Sequence, residues 1–588
     1  MKKILLIFCA ALLALTAAAG TTPGVQSAWA NIIDGPTAAG DQATDVAIGK
    51  KGGIYWLGNY GSNDADGLDI SYAGEVIFSG AAYSGTSNNG NLTLIKTDAD
   101  GNRQWVVYSN SGDFANNSGG VVPTADGGAV VVAKVRHTDG YTDRNIALVD
   151  ATGAKTEVPW TCERRYYRMM IFKVTAEGAI SWLRMADAST EPREGATGHY
   201  ADFWADTFNL NKVAGDDSDN IYIALNYRTP FTFAKADGTV TLTPTGTGLQ
   251  TWNGDSQNTV GDFLLLGLDA DGYYRNSLTL EGTTTATYCQ DIEFDNGKLY
   301  VLGYAKSDGT PLKAGDISMA TTSDGVFNPI IMSTDTSLKP LWAKCLKGEA
   351  VGGKQGYQNC GITAVGGTLW LCGQYNLKIT DPGEATKTVA SSQGSVREGF
   401  IIKFDAADGT WLAARNSRDD DWNEPVAQAK TGLTGYFKVL QNPTHTNYIY
   451  VYGYVMNANV GVFLRRYDAT TLEGDLAEGQ NNIITKGGVP SSQVIAYDEK
   501  DGSAYLTARG NQAFGLSDGS TTAAPVKWGI LAAKVKLPAD MTTGIEGIEA
   551  DDTDAAAEYY NLQGIRVANP SNGIFIRRQG SRTTKVAL

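Results

Sequence analysis

The sequence predicts an all-β fold: a seven-bladed β-propeller closed by the chain's own N-terminal strand, followed by a short C-terminal β tail. Three observations predict it. A short aromatic and β-branched strand recurs seven times, a tight-turn sequence precedes each copy, and the last copy lacks a strand that the N-terminus can supply.

The recurring strand reads IYWLG from Ile54, AVVVA from Ala129, IYIAL from Ile221, LYVLG from Leu299, LWLCG from Leu369, IYVYG from Ile449 and AYLTA from Ala504. Its enrichment in aromatic and β-branched residues, without a helical period, specifies a strand. Turns such as Lys51-Gly52-Gly53, Asp126-Gly127-Gly128, Asp295-Asn296-Gly297 and Asp501-Gly502 stand before it. These residue types tolerate the positive φ of a tight hairpin, so an earlier strand (a) and the recurring strand (b) form a hairpin. A third strand (c) ends in a second turn, as in LTLIKTDADG from Leu92, MMIFKVTAEG from Met169, FLLLGLDADG from Phe263 and FIIKFDAADG from Phe400. A fourth (d) carries Trp105, Trp182, Trp342 or Trp411; Tyr274 takes that place in the third unit, and the sixth has no aromatic there.

Units of four short strands, repeating about every 75 residues, match propeller blades with long insertions, since compact blades run about 40–50. A solenoid is the competing architecture. The seventh unit ends after ILAAKVKL at Ile530 with no d strand, while SAWANIIDG at Ser27 has no a, b or c strand before it. Pairing Trp29 to Asp34 with the last sheet joins the ends and removes an exposed edge, which a solenoid has no need to do.

The units resemble the bacterial secreted β-propeller repeat (SBBP-type) families through LYVLGY at Leu299, IYVYGY at Ile449, LIKTDADG at Leu94 and IIKFDAADG at Ile401. That resemblance implies architecture and leaves activity open.

The two ends of the chain carry different signals. Lys2 and Lys3, the apolar run Ile4 to Leu15 and the small residues Ala17 and Ala19 compose an export signal over residues 1–19. The propeller is assigned to 27–538, an acidic linker to 539–558, and a basic tail with alternating strands to 559–588. In the tail, Tyr560, Asn561, Leu562, Gly564, Val567, Gly573 to Ile576 and Lys585-Val586 resemble the C-terminal sorting domains of Bacteroidetes type IX secretion. The resemblance implies the secretion machinery as a partner and a secreted or outer-membrane-surface location. No segment after the signal is long and apolar enough to span a bilayer as a helix.

The net charge of −15 argues against nucleic acid as a partner. No Cys/His cluster suggests a metal, and no cofactor motif is present. Cys360 and Cys372 fall on neighbouring strands, where a disulfide and two buried free thiols are both compatible with the pattern. Asp-x-Asp-Gly at Asp98 and Asp269 lacks the distal glutamate of a calcium loop and reads as a c–d turn.

The b–c and d–a connections are long, about 62–90, 137–166, 187–204, 228–260, 305–325, 376–398 and 412–432. A ligand site is therefore expected on that face, near the central channel. Tyr200, Trp204, Trp252 and Trp422 are the candidate ligand-binding residues, because exposed aromatics stack on sugar rings and peptide side chains. No catalytic residue is assigned: His137, His199 and His445 fit no triad, and Asp420 with Asp202 or Asp206 is the only carboxylate pairing worth testing against a glycosidase. The expectation is a non-catalytic module that binds an extracellular glycan or protein. A polysaccharide hydrolase or lyase and a surface scaffold are the alternatives.

Overall fold

The computed structural model describes residues 25–36, 41–62, 66–80, 90–110, 114–136, 146–159, 167–188, 208–227, 229–244, 262–282, 284–307, 309–322, 327–350, 357–375, 377–391, 398–417, 433–443, 445–457, 460–474, 481–483, 494–516, 519–537, 557–562, 565–571, 573–579 and 582–587. Its named elements are all β-strands, and the chain separates into two compact units at Pro538.

In the first unit the described strands assemble into propeller-like antiparallel sheets with the order a-b-c-d, beside a separate three-stranded sheet. The a strands are Gln42–Ile48, Phe114–Pro123, Phe208–Gly215, Thr284–Asp295, Tyr357–Val365, Leu433–Asn442 and Ile495–Asp498. The b strands are Ile54–Tyr60, Ala129–Arg136, Ile221–Tyr227, Lys298–Ser307, Thr368–Tyr375, His445–Asn457 and Ser503–Gly510. Strands b and c are apolar on both faces because both are covered: every residue of Ile54–Tyr60 and of the c strand Asp262–Leu268 is buried. The core therefore lies between neighbouring sheets, as where Val130 and Ile171 of the second meet Ile223 and Leu266 of the third.

The strand that follows c in the last sheet is Gln26–Asp34. It pairs antiparallel with Gly529–Lys536, from Gln26↔Lys536 to Asp34↔Gly529, with one bulge between Ser27 and Trp29.

A recurring contact joins d of one sheet to the c–d turn of the next. Gly178 turns at φ +87°, and a Cβ there would lie 2.8 Å from the Trp105 ring, so glycine is required twice over. Trp105 Nε1 donates to the Ala176 carbonyl at 2.9 Å. Trp342 repeats this on Gly409 and the Ala406 carbonyl, and Trp182 packs on Gly272. Trp29 does the same to the first sheet, covering Gly101 and donating to the Ala99 carbonyl at 2.9 Å.

The b–c insertions differ from the sequence expectation. Among the described residues, four of them carry hairpins that lengthen the sheet of the preceding unit. Ala147–Val149 pairs with Arg103–Ser109, Phe231–Lys235 with Ile180–Ala188, and Leu312–Ala314 with Tyr274–Glu281. Asp69–Tyr72 pairs with Gln26–Asp34, whereas Leu377–Asp381 pairs with Lys347–Ala350 in a separate three-stranded sheet. An outermost strand has a row of unpaired backbone groups, and the inserted hairpin satisfies part of it. The paired hairpin strands are edge cover; the remainder of several insertions lies outside the described residues.

Cys289, Cys345, Cys360 and Cys372 are all buried free thiols, which resolves the Cys360/Cys372 alternatives. Asp98 Oδ1 accepts the N–H groups of Asp100 and Asn102, both at 2.9 Å, and Asp269 does the same for Asp271 and Tyr273. Both sequences are turn locks, and no metal-holding group occurs among the described residues.

The second unit contains a four-stranded sheet in the order Arg566–Val567, Glu558–Tyr560, Ile574–Gln579, Arg582–Ala587. It leaves Leu562, Ile565 and Ile574 exposed.

Candidate functional site

Six a strands carry a bulge at the same level, between Ala43/Asp45, Phe114/Gly119, Leu210/Lys212, Cys289/Asp291, Gln358/Gly361 and Tyr436/Lys438. A bulge adds a residue to one strand and re-aims its neighbours. Opposite the fourth residue of each b motif then stand Asp45, Gly120, Lys212, Asp291, Gly361 and Lys438, paired with Leu57, Val132, Ala224, Leu302, Cys372 and Tyr452. The seventh sheet has Val494 at this level, its carbonyl accepting from Thr507.

The order acid, glycine, lysine thus occurs twice. In the first copy Asp45 Oδ2 accepts the N–H of Val121 at 3.0 Å, and Lys212 Nζ meets Asp45 Oδ1 at 2.9 Å. In the second, Asp291 Oδ2 accepts the N–H of Ile362 at 2.9 Å, and Lys438 donates to the Ile362 carbonyl at 2.8 Å. The glycines let the three strands approach. A Cβ on Gly361 would lie 2.2 Å from the Phe437 carbonyl oxygen, and one on Gly120 would lie 2.1 Å from Val213 Cγ2.

The copies diverge one level along the strand. Two residues after Asp45 is Ala47, whereas two residues after Asp291 is Glu293, which forms an ion pair with Lys438. The electrostatics diverge with it. Burial depresses Lys212, but Asp45 and Asp291 outweigh it and hold that ammonium above the usual lysine value. Burial brings Lys438 down to about 8; Asp291 and Asp45 pull it up, and Lys212 pushes it further down.

These side chains line one cavity of about 580 Å³, to which all seven a segments contribute. That is within the usual ~300–1,000 Å³ of small-ligand sites. Its lining runs from the bulge level to the a–b turns, where Asp295 and Glu499 stand. Burial raises the pKa of both, and for Glu499 the charge of Asp295 adds to it. Thr363, Gln441, Phe294 and Tyr497 supply hydroxyl, amide and aromatic surface. The chemistry available is hydrogen bonding to a polar ligand, ring contact, and an amine with a carboxylate beside it.

The cavity reaches toward the a–b turns, while much of the b–c and d–a connections on which a site was expected lies outside the described residues. Tyr200, Trp204, Trp252 and Trp422 lie outside the described residues, as do Asp202, Asp206 and Asp420. Sequence reasoning missed the charged ring. A signal was present: Asp45, Gly120, Lys212, Asp291, Gly361 and Lys438 each precede a Val or Ile just upstream of the recurring b strand.

No protein-family model matches the chain, and no curated protein matches it. Among solved structures it is similar to the quinohemoprotein alcohol dehydrogenase ADHIIG of Pseudomonas putida HK5, at 11% identity over 91% of this chain and 79% of that one, with a TM-score of 0.38. It is also similar to the quinohemoprotein alcohol dehydrogenase of Comamonas testosteroni, at 12% identity over 91% and 80%, TM-score 0.34. A europium-containing methanol dehydrogenase matches at 10% identity over 87% and 93%, TM-score 0.31.

Proposed function

We propose that the chain is a seven-bladed β-propeller, closed by Gln26–Asp34, that binds an extracellular glycan or protein without turning it over. The observation that carries this reading is the axial cavity, to which each of seven a segments contributes one side. Closure is supported by the pairing of Gln26–Asp34 with Gly529–Lys536 and by Trp29, which repeats on the first sheet the contact Trp105 makes on the second. A binding role is supported by the engagement of the innermost carboxylates: Asp45 and Asp291 hold strand N–H groups, and Glu293 holds Lys438. The export signal and sorting-like tail support a location outside the cell or on its outer surface, with the secretion machinery as a transient partner.

The test is a glycan array and extracellular-protein pull-down with the full chain, beside Ala47→Trp and Ala214→Trp, which fill the cavity. The expected result is a retained ligand, lost in both variants while thermal melting is kept. Turnover of a polysaccharide by the wild type, abolished by the same variants, overturns the non-catalytic reading in favour of a hydrolase or lyase. Binding unchanged by filling the cavity moves the site elsewhere.

A further inference from the structure

We propose that Lys438 is a carbonyl-capturing residue: its amine takes an aldehyde-bearing ligand in the axial cavity as a reversible imine, with Glu293 carrying the protons. This goes beyond the binding role above, since the imine is read at Lys438 whether or not a glycan or protein ligand is found.

The two lysines at the bulge level differ in what holds them. Lys212 is fixed on Asp45 at 2.9 Å, and the next residue on that face is Ala47, which has no proton-carrying group. Lys438 is held by Glu293 and by the Ile362 carbonyl at 2.8 Å, with the Lys438 side chain 15% exposed and that of Glu293 27%. An amine that attacks a carbonyl needs three things: a free lone pair, a nearby acid–base group, and room for the ligand. Burial and the neighbouring ammonium of Lys212 favour the neutral amine, a recognised route to a nucleophilic lysine. Glu293 is the acid–base group, and the cavity of about 580 Å³ is the room. The ionisable groups facing this amine are Asp45 and Lys212 across the axis, Asp291, Glu293 and Asp295 on Thr284–Asp295, and Tyr497 and Glu499 in the seventh sheet.

The chemistry closes without a further reagent. The ammonium gives a proton to Glu293, and the freed amine keeps its bond to the Ile362 carbonyl. Its lone pair forms a C–N bond to the carbonyl carbon, the C=O π pair moves to oxygen, and Glu293 returns the proton there. The new N–H group then gives Glu293 a second proton, which leaves with the hydroxyl as water while nitrogen closes the C=N bond. One ammonium and one aldehyde become one protonated imine and one water, and the positive charge stays in the cavity. Hydrolysis runs the same steps backward.

The shared ligand chemistry is an aldehyde, whether the open-chain form of a reducing sugar or an aliphatic aldehyde. The experiment treats the full chain with glyceraldehyde in one arm and hexanal in the other, reduces with borohydride, and maps modified peptides by mass spectrometry. Lys438 is expected to label about tenfold faster or more than exposed lysines at pH 7.5, reflecting its larger free-amine fraction. Its rate is expected to level near pH 8, while exposed lysines keep gaining toward pH 10. Preference for glyceraldehyde identifies a sugar source, and preference for hexanal an aliphatic one. Glu293→Gln is expected to slow Lys438 about tenfold while exposed lysines are unchanged, and Lys438→Arg to remove the fast site with melting retained. Labelling of Lys438 no faster than at exposed lysines overturns the proposal, as does a rate indifferent to Glu293→Gln. Failure of the glycan array leaves this result untouched, so the two readings fail separately.

Discussion

The same backbone arrangement occurs on the first three units and on the fourth to sixth, yet it holds its lysine in opposite states. Asp45, Gly120 and Lys212 form a closed ion pair; Asp291, Gly361 and Lys438 form one in which the acid keeps to the backbone and the lysine turns to Glu293. Asp45 and Asp291 outweigh burial and hold Lys212 above its usual value, whereas burial, with the charge of Lys212, brings Lys438 down to about 8. The comparison teaches that the bulge sets where a charge sits, and the next residue on the same face sets what that charge can do. The seventh unit belongs to neither half: Val494 stands at the bulge level, and its strand Gly529–Lys536 pairs with Gln26–Asp34.

That join gives the largest expected effect. If the seventh sheet meets the first as the first meets the second, Trp29→Ala and Trp105→Ala each cost about 3 kcal/mol, the usual loss for a large aromatic in a packed site. Urea unfolding of both variants checks it. A Trp29 variant at wild-type stability breaks the closure, because the indole then packs on nothing that matters.

Next come the glycines. Gly361→Ala drives a methyl against the Phe437 carbonyl, which belongs to a paired strand and cannot yield. Gly120→Ala meets Val213 Cγ2, a side chain that can rotate. The first is expected to cost about 3 kcal/mol and the second about 1, within the range for overpacked sites. Equal losses mean the two copies are equally rigid and dissolve the contrast.

How much of this was legible depends on whether neighbours in sequence carry the signal. The b strands spell themselves, because Ile54–Tyr60 is buried along its whole length and is apolar or aromatic at all but Asn59. The c–d turns spell themselves through Asp98 and Gly101, which fold the chain locally. The strand at Trp29 to Asp34 was inferable because a lone d strand at one end answers a missing one at the other. The bulges were not: one extra residue in the strand breaks the period-2 alternation that marks it, so the register of Asp45 and Lys212 could not be read locally. The edge hairpins were hidden for another reason. Asp69–Tyr72 pairs with a strand some 40 residues earlier, and nothing local in a polar insertion announces a distant partner. The aromatic candidates Tyr200, Trp204, Trp252 and Trp422 were chosen for chemistry alone, without a register to place them.

Removing each lysine sharpens the contrast further. Lys212→Met strands Asp45, whose side chain is 7% exposed, whereas Lys438→Met strands Glu293 at 27%. A carboxylate left alone costs more the drier it is, so about 2 kcal/mol is expected for the first and about 1 for the second. Chemical denaturation at pH 7 measures both, and the reverse order would mean that Glu293, not Asp45, is the acid the fold depends on.

The smallest effect is the pH dependence, and it has opposite signs in the two copies. Lys438 is lowered in the folded chain, so between about 8 and its unfolded value near 10.5 the unfolded chain holds more protons, and stability rises with pH across that window. Lys212 is raised, so its contribution is whole below about 10.5 and is lost as pH climbs through the higher folded value. Between pH 9 and 10 the wild type is therefore expected to gain about 1 kcal/mol relative to Lys438→Met, and to hold level relative to Lys212→Met. Paired urea titrations at the two pH values read this difference directly, with background tyrosine and surface-lysine ionisation cancelling between chains. A gain that survives Lys438→Met would assign the window to another group and remove the electrostatic distinction between the two halves.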